Sequence, residues 1–195
     1  MKEGAGPAYW LALCLALLAL AWGSNAFWDA LSPVTHKRQL YALAPLYRVD
    51  PLLLAAIVRA ESGFDPFAES HQGALGLMQL LPSTAEEAAR ELKLNYQDKD
   101  DLYREDVNLR LGVHHFAKQL KAFDGSLVLA LAAYNAGAAK VRSWGLEAYG
   151  SDQEQLISAI PLPETRLYVS RVLDHYRLFK RLQSVKRFLH GDPAL

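Results

Sequence analysis

The sequence contains a single cysteine in 195 residues, which excludes an intrachain disulfide framework and a zinc site built on several cysteines. It also lacks an excess of either charge, since 21 basic residues balance 21 acidic ones. Binding to nucleic acid through phosphates needs a basic excess or stripe, so we predict no nucleic-acid partner. Glycine-rich phosphate loops and serine nucleophile elbows are missing too. What remains is a chain rich enough in apolar residues, at 51%, to bury a core.

The first 26 residues are typical of a targeting segment. An almost unbroken apolar stretch runs from Ala8 to Trp22. It is shorter than the ~20 residues that a bilayer span needs and suits the core of a signal peptide. Ser24 and Ala26 put small residues where an export peptidase cuts. Two interpretations stay open: a signal peptide that is cleaved after Ala26, and an uncleaved amino-terminal anchor.

The remainder, residues 27–195, is predicted to be one all-α domain. Alanine and leucine are abundant, runs of β-branched residues are scarce, and apolar residues recur at spacings of three and four. Asp50 is predicted to cap one helix, and a capping box beginning at Ser83 is predicted to open another. The segment Lys93 to Arg104 is predicted to be a surface loop. The predicted helices span residues 34–47, 51–61, 83–92, 106–123, 126–134, 138–144 and 163–189.

The last predicted helix carries an apolar stripe and many basic residues. The stripe consists of Leu178, Leu182, Val185 and Leu189, and we expect it to pack on the core while the basic residues face solvent. Contact of the basic face with an anionic polymer or a membrane surface stays open as an alternative.

Glu61 is a carboxylate on an apolar helix face. On a 3.6-residue period it shares that face with Leu54, Ile57 and Val58. Burial and the carboxyl end of a helix both disfavour the ionised form, so the side chain is expected to keep its proton near neutral pH. A general acid needs this property. The alternative is a glutamate that caps the following loop through backbone amides of Gly63 or Phe64.

The adjacent histidines His114 and His115 are predicted to be a surface and packing pair. Neighbouring helical residues point about 100° apart, and no metal-binding spacing surrounds them. No metal and no cofactor are predicted.

Four segments occur in the order and at the separations of a known family. They are ESGFDP at residues 61–66, GALGLMQ at 73–79, AYNAG at 133–137 and PETRLYV at 163–169. A further segment, VNLRLG at 107–112, fits the same pattern. Together they resemble the soluble lytic transglycosylase family, whose domain is similar to goose-type lysozyme. The likeness covers about residues 40–176.

The resemblance implies a lysozyme-like, mainly α-helical transglycosylase domain. It also implies cleavage of the β-1,4 bond between N-acetylmuramic acid and N-acetylglucosamine in peptidoglycan, with formation of a 1,6-anhydro ring. Glu61 matches the catalytic acid, which would protonate the glycosidic oxygen and then accept the proton of the C6 hydroxyl. An exported protein acting on glycan strands would work in the periplasm, either free or held at the inner membrane by a retained anchor.

The resemblance also implies a set of substrate-binding residues, each with a plainer alternative. Ser70 could hold an N-acetyl group or stabilise a turn, and Met78 could pack under a sugar or lie in the core. Gln79 would bond sugar hydroxyls or amides, and Tyr134 would bond Glu61 or the N-acetyl group. The remaining matched positions, expected to face the sugar, are Asn135, Glu164 and Tyr168.

Two other functions stay open from sequence. A muramidase would keep the fold but let water capture the intermediate, and it would need a second carboxylate, for which Asp65 and Glu69 are the nearby candidates. An inactive accessory domain would bind the wall or secretion machinery, but it would be expected to lack the acid at Glu61. Peptidoglycan strands are the expected partner. Cell-wall or secretion-machinery proteins are further candidates, and membrane association requires a retained amino terminus.

Overall fold

The computed structural model describes residues 10, 11, 14, 34–150 and 152–190. The chain divides into two compact units, Val34–Phe179 and a second unit that joins Met1–Pro33 with Lys180–Leu195. Apart from the exposed residues 10, 11 and 14, the predicted targeting segment lies outside the described residues. Within the described ranges, no helix combines the length and the hydropathy needed to cross a membrane.

Helices dominate the part of the chain that the structure describes, and the all-α prediction is confirmed. No strand occurs there beyond isolated bridges that join Leu75 to Glu69 and to Leu80. Short 3-10 turns cover Lys99–Tyr103 and Leu146–Tyr149. The helices are α1 Lys37–Tyr47, α2 Pro51–Glu61, α3 Pro82–Leu92, α4 Glu105–Ala122, α5 Leu127–Ala136, α6 Ala138–Ser143, α7 Gln153–Ala159 and α8 Pro163–His190.

Helices α2 and α5 form the centre of the main core. Residues 52–58 of α2 and 128–133 of α5 are all buried, as expected for helices that are apolar all round. Helix α5 packs against α4, α6 and α7. A second apolar cluster lies under α3 and includes Leu75, Leu80 and Leu102. Tyr134 packs against both clusters, so it marks the line where they meet.

The predicted cap of α2 is confirmed. One carboxylate oxygen of Asp50 accepts a 2.8 Å hydrogen bond from the amide of Leu52, and Pro51 occupies the first helical position. The other oxygen accepts a 2.8 Å hydrogen bond from the hydroxyl of Tyr176. The cap therefore also ties the start of α2 to α8.

The predicted capping box at Ser83 is wrong. Helix α3 begins at Pro82, and its N-cap is Leu81, which makes no side-chain capping bond. Proline has a fixed φ and no amide hydrogen, so it suits the first helical position. Ser83 consequently lies inside the first turn instead of before it.

The other deviations concern short elements. Helix α7 and the turn at Leu146–Tyr149 were not predicted, and the predicted loop 93–104 contains the turn Lys99–Tyr103. Helix α7 has seven residues, of which Leu156 is buried. A seven-residue helix is too short to show a helical period of apolar residues in the sequence. Its start is fixed by Asp152, whose carboxylate accepts hydrogen bonds from two backbone amides.

The predicted packing of the stripe on α8 is wrong for the side chains that can be assessed. Leu178, Leu182 and Val185 are 47%, 37% and 46% exposed, and the side chain of Leu189 lies outside the described residues. The core-facing side chains of α8 end at Phe179. Leu178 is exposed although its neighbour Phe179 is buried, so the stripe lies on a face of α8 that the described core does not cover.

Candidate active site

A cleft of about 430 Å³ opens beside the carboxyl end of α2. Its walls come from the loop that follows α2, from α4 and α5, and from the first turns of α8. Seven of the eight side chains that the sequence singled out line this cleft. They are Glu61, Ser70, Gln79, Tyr134, Asn135, Glu164 and Tyr168.

Glu61 is the last residue of α2, and Ser62 fixes the turn that follows it. The hydroxyl of Ser62 donates a 2.9 Å hydrogen bond to the carbonyl of Leu77 and accepts one from the amide of Phe64. The amide of Gly63 donates to the carbonyl of Arg59. Both amides that could have bonded a capping glutamate are therefore engaged elsewhere, and the interpretation of Glu61 as a loop cap is wrong.

The environment of Glu61 favours its protonated form. Burial raises the pKa of the carboxyl group from its ordinary value of 4.5 to about 7, and the Tyr168 hydroxyl and the Arg171 charge offset part of that rise. Desolvation therefore outweighs the favourable contacts of the ionised form. The side chain can give up or accept a proton near neutral pH, as acid–base catalysis requires.

The buried Tyr168 and the partly buried Tyr134 flank Glu61. The Tyr134 hydroxyl donates a 2.8 Å hydrogen bond to the carbonyl of Met78, so it does not donate to Glu61 as the sequence had suggested. The Tyr168 hydroxyl lowers the pKa of Glu61 as a donor, yet it has no partner of full hydrogen-bond geometry among the described residues.

Two residues of the loop combine a local bond with a place in the cleft. The Ser70 hydroxyl accepts a 3.0 Å hydrogen bond from the amide of Ala74, which is the turn-stabilising arrangement, and its own proton stays available to a ligand. The Gln79 amide nitrogen donates to the carbonyls of Ala68 and Gly76 at 3.0 and 2.9 Å. These two acceptors fix the amide orientation, which leaves the oxygen of Gln79 as the acceptor toward the cleft.

Asn135 joins the end of α5 to the start of α8, where Glu164 also lies. The side-chain oxygen of Asn135 accepts a 2.7 Å hydrogen bond from the buried hydroxyl of Thr165. This bond leaves the amide nitrogen of Asn135 as a donor at the cleft. Glu164 is exposed in the first turn of α8, where an acidic residue also complements the helix dipole.

Met78 is the exception among the predicted side chains. It is fully buried, does not line the cleft and packs against Gly112 of α4. Its expected contact with a sugar ring is therefore not available to this side chain, and the core alternative describes it. Its backbone contributes instead, because its carbonyl holds Tyr134.

Asn108 of α4 holds the loop between α2 and α3 in position. Its buried side chain accepts a 2.8 Å hydrogen bond from the amide of Met78 and donates to the carbonyls of Leu75 and Leu102 at 2.9 and 2.8 Å. The segment at 107–112 was recognised as a motif, and this network is its physical basis. The network holds in place the loop segment that carries Gln79.

His115 and Arg171 both line the cleft, although neither was predicted from the sequence to do so. The histidine ring lies 5.3 Å from that of Tyr134, and burial lowers its pKa, with a further contribution from Lys118. Its neighbour His114 instead pairs with Glu91 at 2.7 Å. A signal existed for Arg171, which lies three residues after Tyr168 and seven after Glu164 and thus on the same helix face.

Comparisons with known proteins agree on one family. Residues 42–157 match the model of the family described as "Transglycosylase SLT domain". A putative soluble lytic murein transglycosylase of Haemophilus influenzae is 35% identical over 161 residues, which are 80% of this chain and 27% of that protein. The membrane-bound lytic murein transglycosylase F of Desulfosudis oleivorans is 32% identical over 161 residues, covering 68% of this chain and 34% of that one.

A solved structure shares the fold. The lytic transglycosylase Slt of Pseudomonas aeruginosa, in an inactive mutant form, superposes with a TM-score of 0.73 at 35% identity. The match covers 77% of this chain and 24% of that one. The chain thus spans about a quarter to a third of the length of these relatives.

Proposed function

The chain belongs to the transglycosylase SLT domain family, and from this premise we propose that it is a peptidoglycan lytic transglycosylase. It cleaves the β-1,4 bond between N-acetylmuramic acid and N-acetylglucosamine. The observation that carries the proposal is a single carboxylic acid with a pKa of about 7, Glu61, at the wall of a cleft.

One residue serves as acid and then as base. Protonated Glu61 donates to the glycosidic oxygen while the bond from that oxygen to C1 of the muramic acid breaks. The C6 hydroxyl then bonds to C1, and its proton passes to the Glu61 carboxylate, which restores the acid. No water is consumed. A pKa near neutrality suits both steps, because the group must exchange its proton in each direction.

The surroundings of Asp65 and Glu69 favour this reaction over hydrolysis. A muramidase needs a second carboxylate to activate water or attack carbon. Asp65 accepts a 2.9 Å hydrogen bond from the amide of Phe67, and Glu69 accepts from the hydroxyl of Tyr103 at 3.3 Å. Both are exposed and outside the cleft lining, in which Glu164 is the other carboxylate.

The substrate contacts follow from the free hydrogen-bonding groups. The hydroxyl of Ser70 and the amide nitrogen of Asn135 offer donors, and the amide oxygen of Gln79 offers an acceptor. Glu164 offers a carboxylate and Tyr168 a hydroxyl from the same face of α8. Alternating donors and acceptors of this kind match the acetamido and hydroxyl groups of amino sugars.

The place of action is proposed from the same family. Peptidoglycan lies outside the cytoplasm, and relatives named as soluble and as membrane-bound lytic transglycosylases both occur. We therefore propose that the protein is exported to the periplasm, with residues 1–26 as a signal peptide or an anchor and 27–195 as the catalytic domain. Proteins of the cell wall or of secretion machinery are proposed partners.

Product analysis on intact sacculi in ¹⁸O-labelled water tests the reaction. We expect mass spectrometry to find 1,6-anhydro ends without ¹⁸O, and we expect Glu61→Gln to reduce their release by about 10²-fold or more. Reducing ends that carry ¹⁸O would support the muramidase instead. Undiminished release by Glu61→Gln would remove the assignment of the acid.

A further inference from the structure

His115 is a polar side chain in the cleft wall that the proposed reaction does not use. It lies in α4, lines the cleft and is half-buried. Its ring packs on that of Tyr134, with the centroids 5.3 Å apart and the planes inclined by 54°. Among the described residues, neither ring nitrogen has a hydrogen-bond or ion-pair partner, and neither is sealed from solvent. Both nitrogens are therefore open to whatever occupies the cleft.

The charged side chains around His115 are paired with one another. Lys118 of α4 lies 2.5 Å from the carboxylate of Glu87 and 2.6 Å from that of Glu91, both in α3. His114 lies 2.7 Å from Glu91. Burial is the largest cause that lowers the pKa of His115, and the Lys118 charge lowers it further. The imidazole is consequently neutral near pH 7, so one of its nitrogens donates a hydrogen bond and the other accepts one.

His115 does not adjust the catalytic acid. The pKa of Glu61 responds to burial, to the Tyr168 hydroxyl and to the Arg171 charge, and His115 is not among its causes. Tyr134, which His115 contacts through its ring, has its hydroxyl bonded to the carbonyl of Met78. His115 thus belongs to the part of the cleft that can bind the strand and not to the acid–base centre.

Packing alone does not account for an imidazole at this position. The ring of Tyr134 also contacts Phe116, the next residue of α4, at 6.0 Å and nearly edge to face. Phe116 is fully buried, so it supplies an apolar ring contact from the core side. A phenylalanine at position 115 would pack on Tyr134 as well as the histidine does. Partial burial of an imidazole without a partner costs free energy, which a ligand that bonds its nitrogens would offset.

We propose that His115 is a substrate-contact residue whose ring nitrogens bind an acetamido or hydroxyl group of the glycan strand. This inference rests on the proposed function and adds to it a contact from α4. Acetamido and hydroxyl groups each combine a hydrogen-bond donor with an acceptor, and the neutral imidazole offers the complementary pair. The strand is then held by α4 as well as by Glu164 and Tyr168 of α8.

Two substitutions in the full chain separate this contact from packing. His115→Phe keeps a ring against Tyr134 but has no hydrogen-bonding group, whereas His115→Gln restores a donor and an acceptor. The substrate is peptide-free glycan strands, which an amidase releases from sacculi. We expect His115→Phe to raise KM by about five- to tenfold, as for the loss of one or two hydrogen bonds, with a smaller effect on kcat. His115→Gln should recover most of that loss.

Controls and a second substrate complete the experiment. His114→Gln changes the neighbouring histidine, which does not line the cleft, and should leave KM unchanged. Thermal unfolding should show that all three variants fold. Strands that have been N-deacetylated identify the bound group, because the effect of His115→Phe disappears if His115 binds the acetamido group and persists if it binds a hydroxyl.

An unchanged KM in His115→Phe, or equal losses in His115→Phe and His115→Gln, would overturn the contact and leave His115 a packing residue. Failure of the proposed reaction would instead appear as an absence of anhydro products from the wild-type protein.

Discussion

At the scale of single residues, the chemistry depends on the cost of burying one charge. Glu61 sits at the end of an apolar helix face, where water is scarce and the nearest opposing influences are one hydroxyl and one guanidinium. Desolvation exceeds both, so the neutral acid is the favoured form up to a pH of about 7. The same imbalance makes Glu61 a source of instability when it ionises.

We predict that Glu61→Gln stabilises the fold at alkaline pH. The folded-state pKa of Glu61 is about 7, above its ordinary 4.5, so the stability that protonated Glu61 contributes is complete below 4.5 and is lost as pH rises through 7. Glutamine stays neutral and avoids that loss. Urea unfolding should therefore show the variant gaining on the wild type between pH 5 and 8, by about 2–3 kcal/mol at the upper end.

The matched control is Glu86→Gln, which removes an exposed carboxylate of α3. It should not reproduce the pH-dependent gain. A difference between Glu61→Gln and the wild type that stays constant from pH 5 to 8 would contradict the raised pKa.

The sequence predicts the apolar position of Glu61 better than it predicts which side chains surround it. Helical periodicity suffices to put Glu61 on an apolar face, since the face is continuous over two turns. It does not reveal that Arg171 of α8 acts on Glu61 of α2, because that proximity is a tertiary property. Met78 shows the converse, since its motif suggested the cleft while its packing against Gly112 keeps it in the core.

Among the structural elements, the loop between α2 and α3 is held in place by contacts with α4 as well as by its own turns. Asn108 satisfies three backbone groups from below, and Gly112 leaves room for the side chain of Met78. Gly76 is packed against Asn108 and the carbonyl of Leu102 so closely that no Cβ fits. The cleft wall therefore depends on two contacts with α4.

A pair of glycine variants tests this support. Gly73 and Gly76 both have positive φ, at 76° and 74°, but a Cβ on Gly73 meets nothing within 4 Å. Gly73→Ala should cost only the backbone strain of about 1–2 kcal/mol. Gly76→Ala should cost about 1–3 kcal/mol more through overpacking and should lower turnover as the loop shifts. Thermal unfolding and sacculus cleavage would measure both effects.

Equal losses from Gly73→Ala and Gly76→Ala would mean that the loop is not held by close packing on α4. The sequence alone cannot predict the difference, since both glycines belong to the same motif. A local sequence signal predicts the structure correctly where a single residue determines it, as at the N-cap residue Asp50. Such signals fail at Ser83, where Pro82 takes the first helical position, and at α7, which is too short for a period.

At the scale of the whole molecule, the described core residues all lie between Val34 and Phe179. All residues that line the cleft lie within the same range. The fold class was predictable because helical periods and family motifs extend over this range. The exposure of Leu178 and Leu182 was not, because a period shows which side chains share a face but not whether that face meets the core.

A chain that begins at residue 27 should fold and cleave on its own. The described residues of its core and its cleft all lie within Val34–Phe179, so removal of residues 1–26 takes away none of these side chains. Circular dichroism should show a helical spectrum and one cooperative melt, and sacculus digestion should release the same products as the full chain. A broad melt or an inactive protein would contradict this domain boundary.

The proposed chemistry requires Glu61 to titrate near neutrality, and a carboxyl ¹³C NMR titration measures this directly. Protein labelled at glutamate side chains would be followed from pH 4 to 9, with the resonance assigned by its loss in Glu61→Gln. We expect a midpoint at about pH 7 for that resonance. A midpoint at or below 4.5 would contradict it.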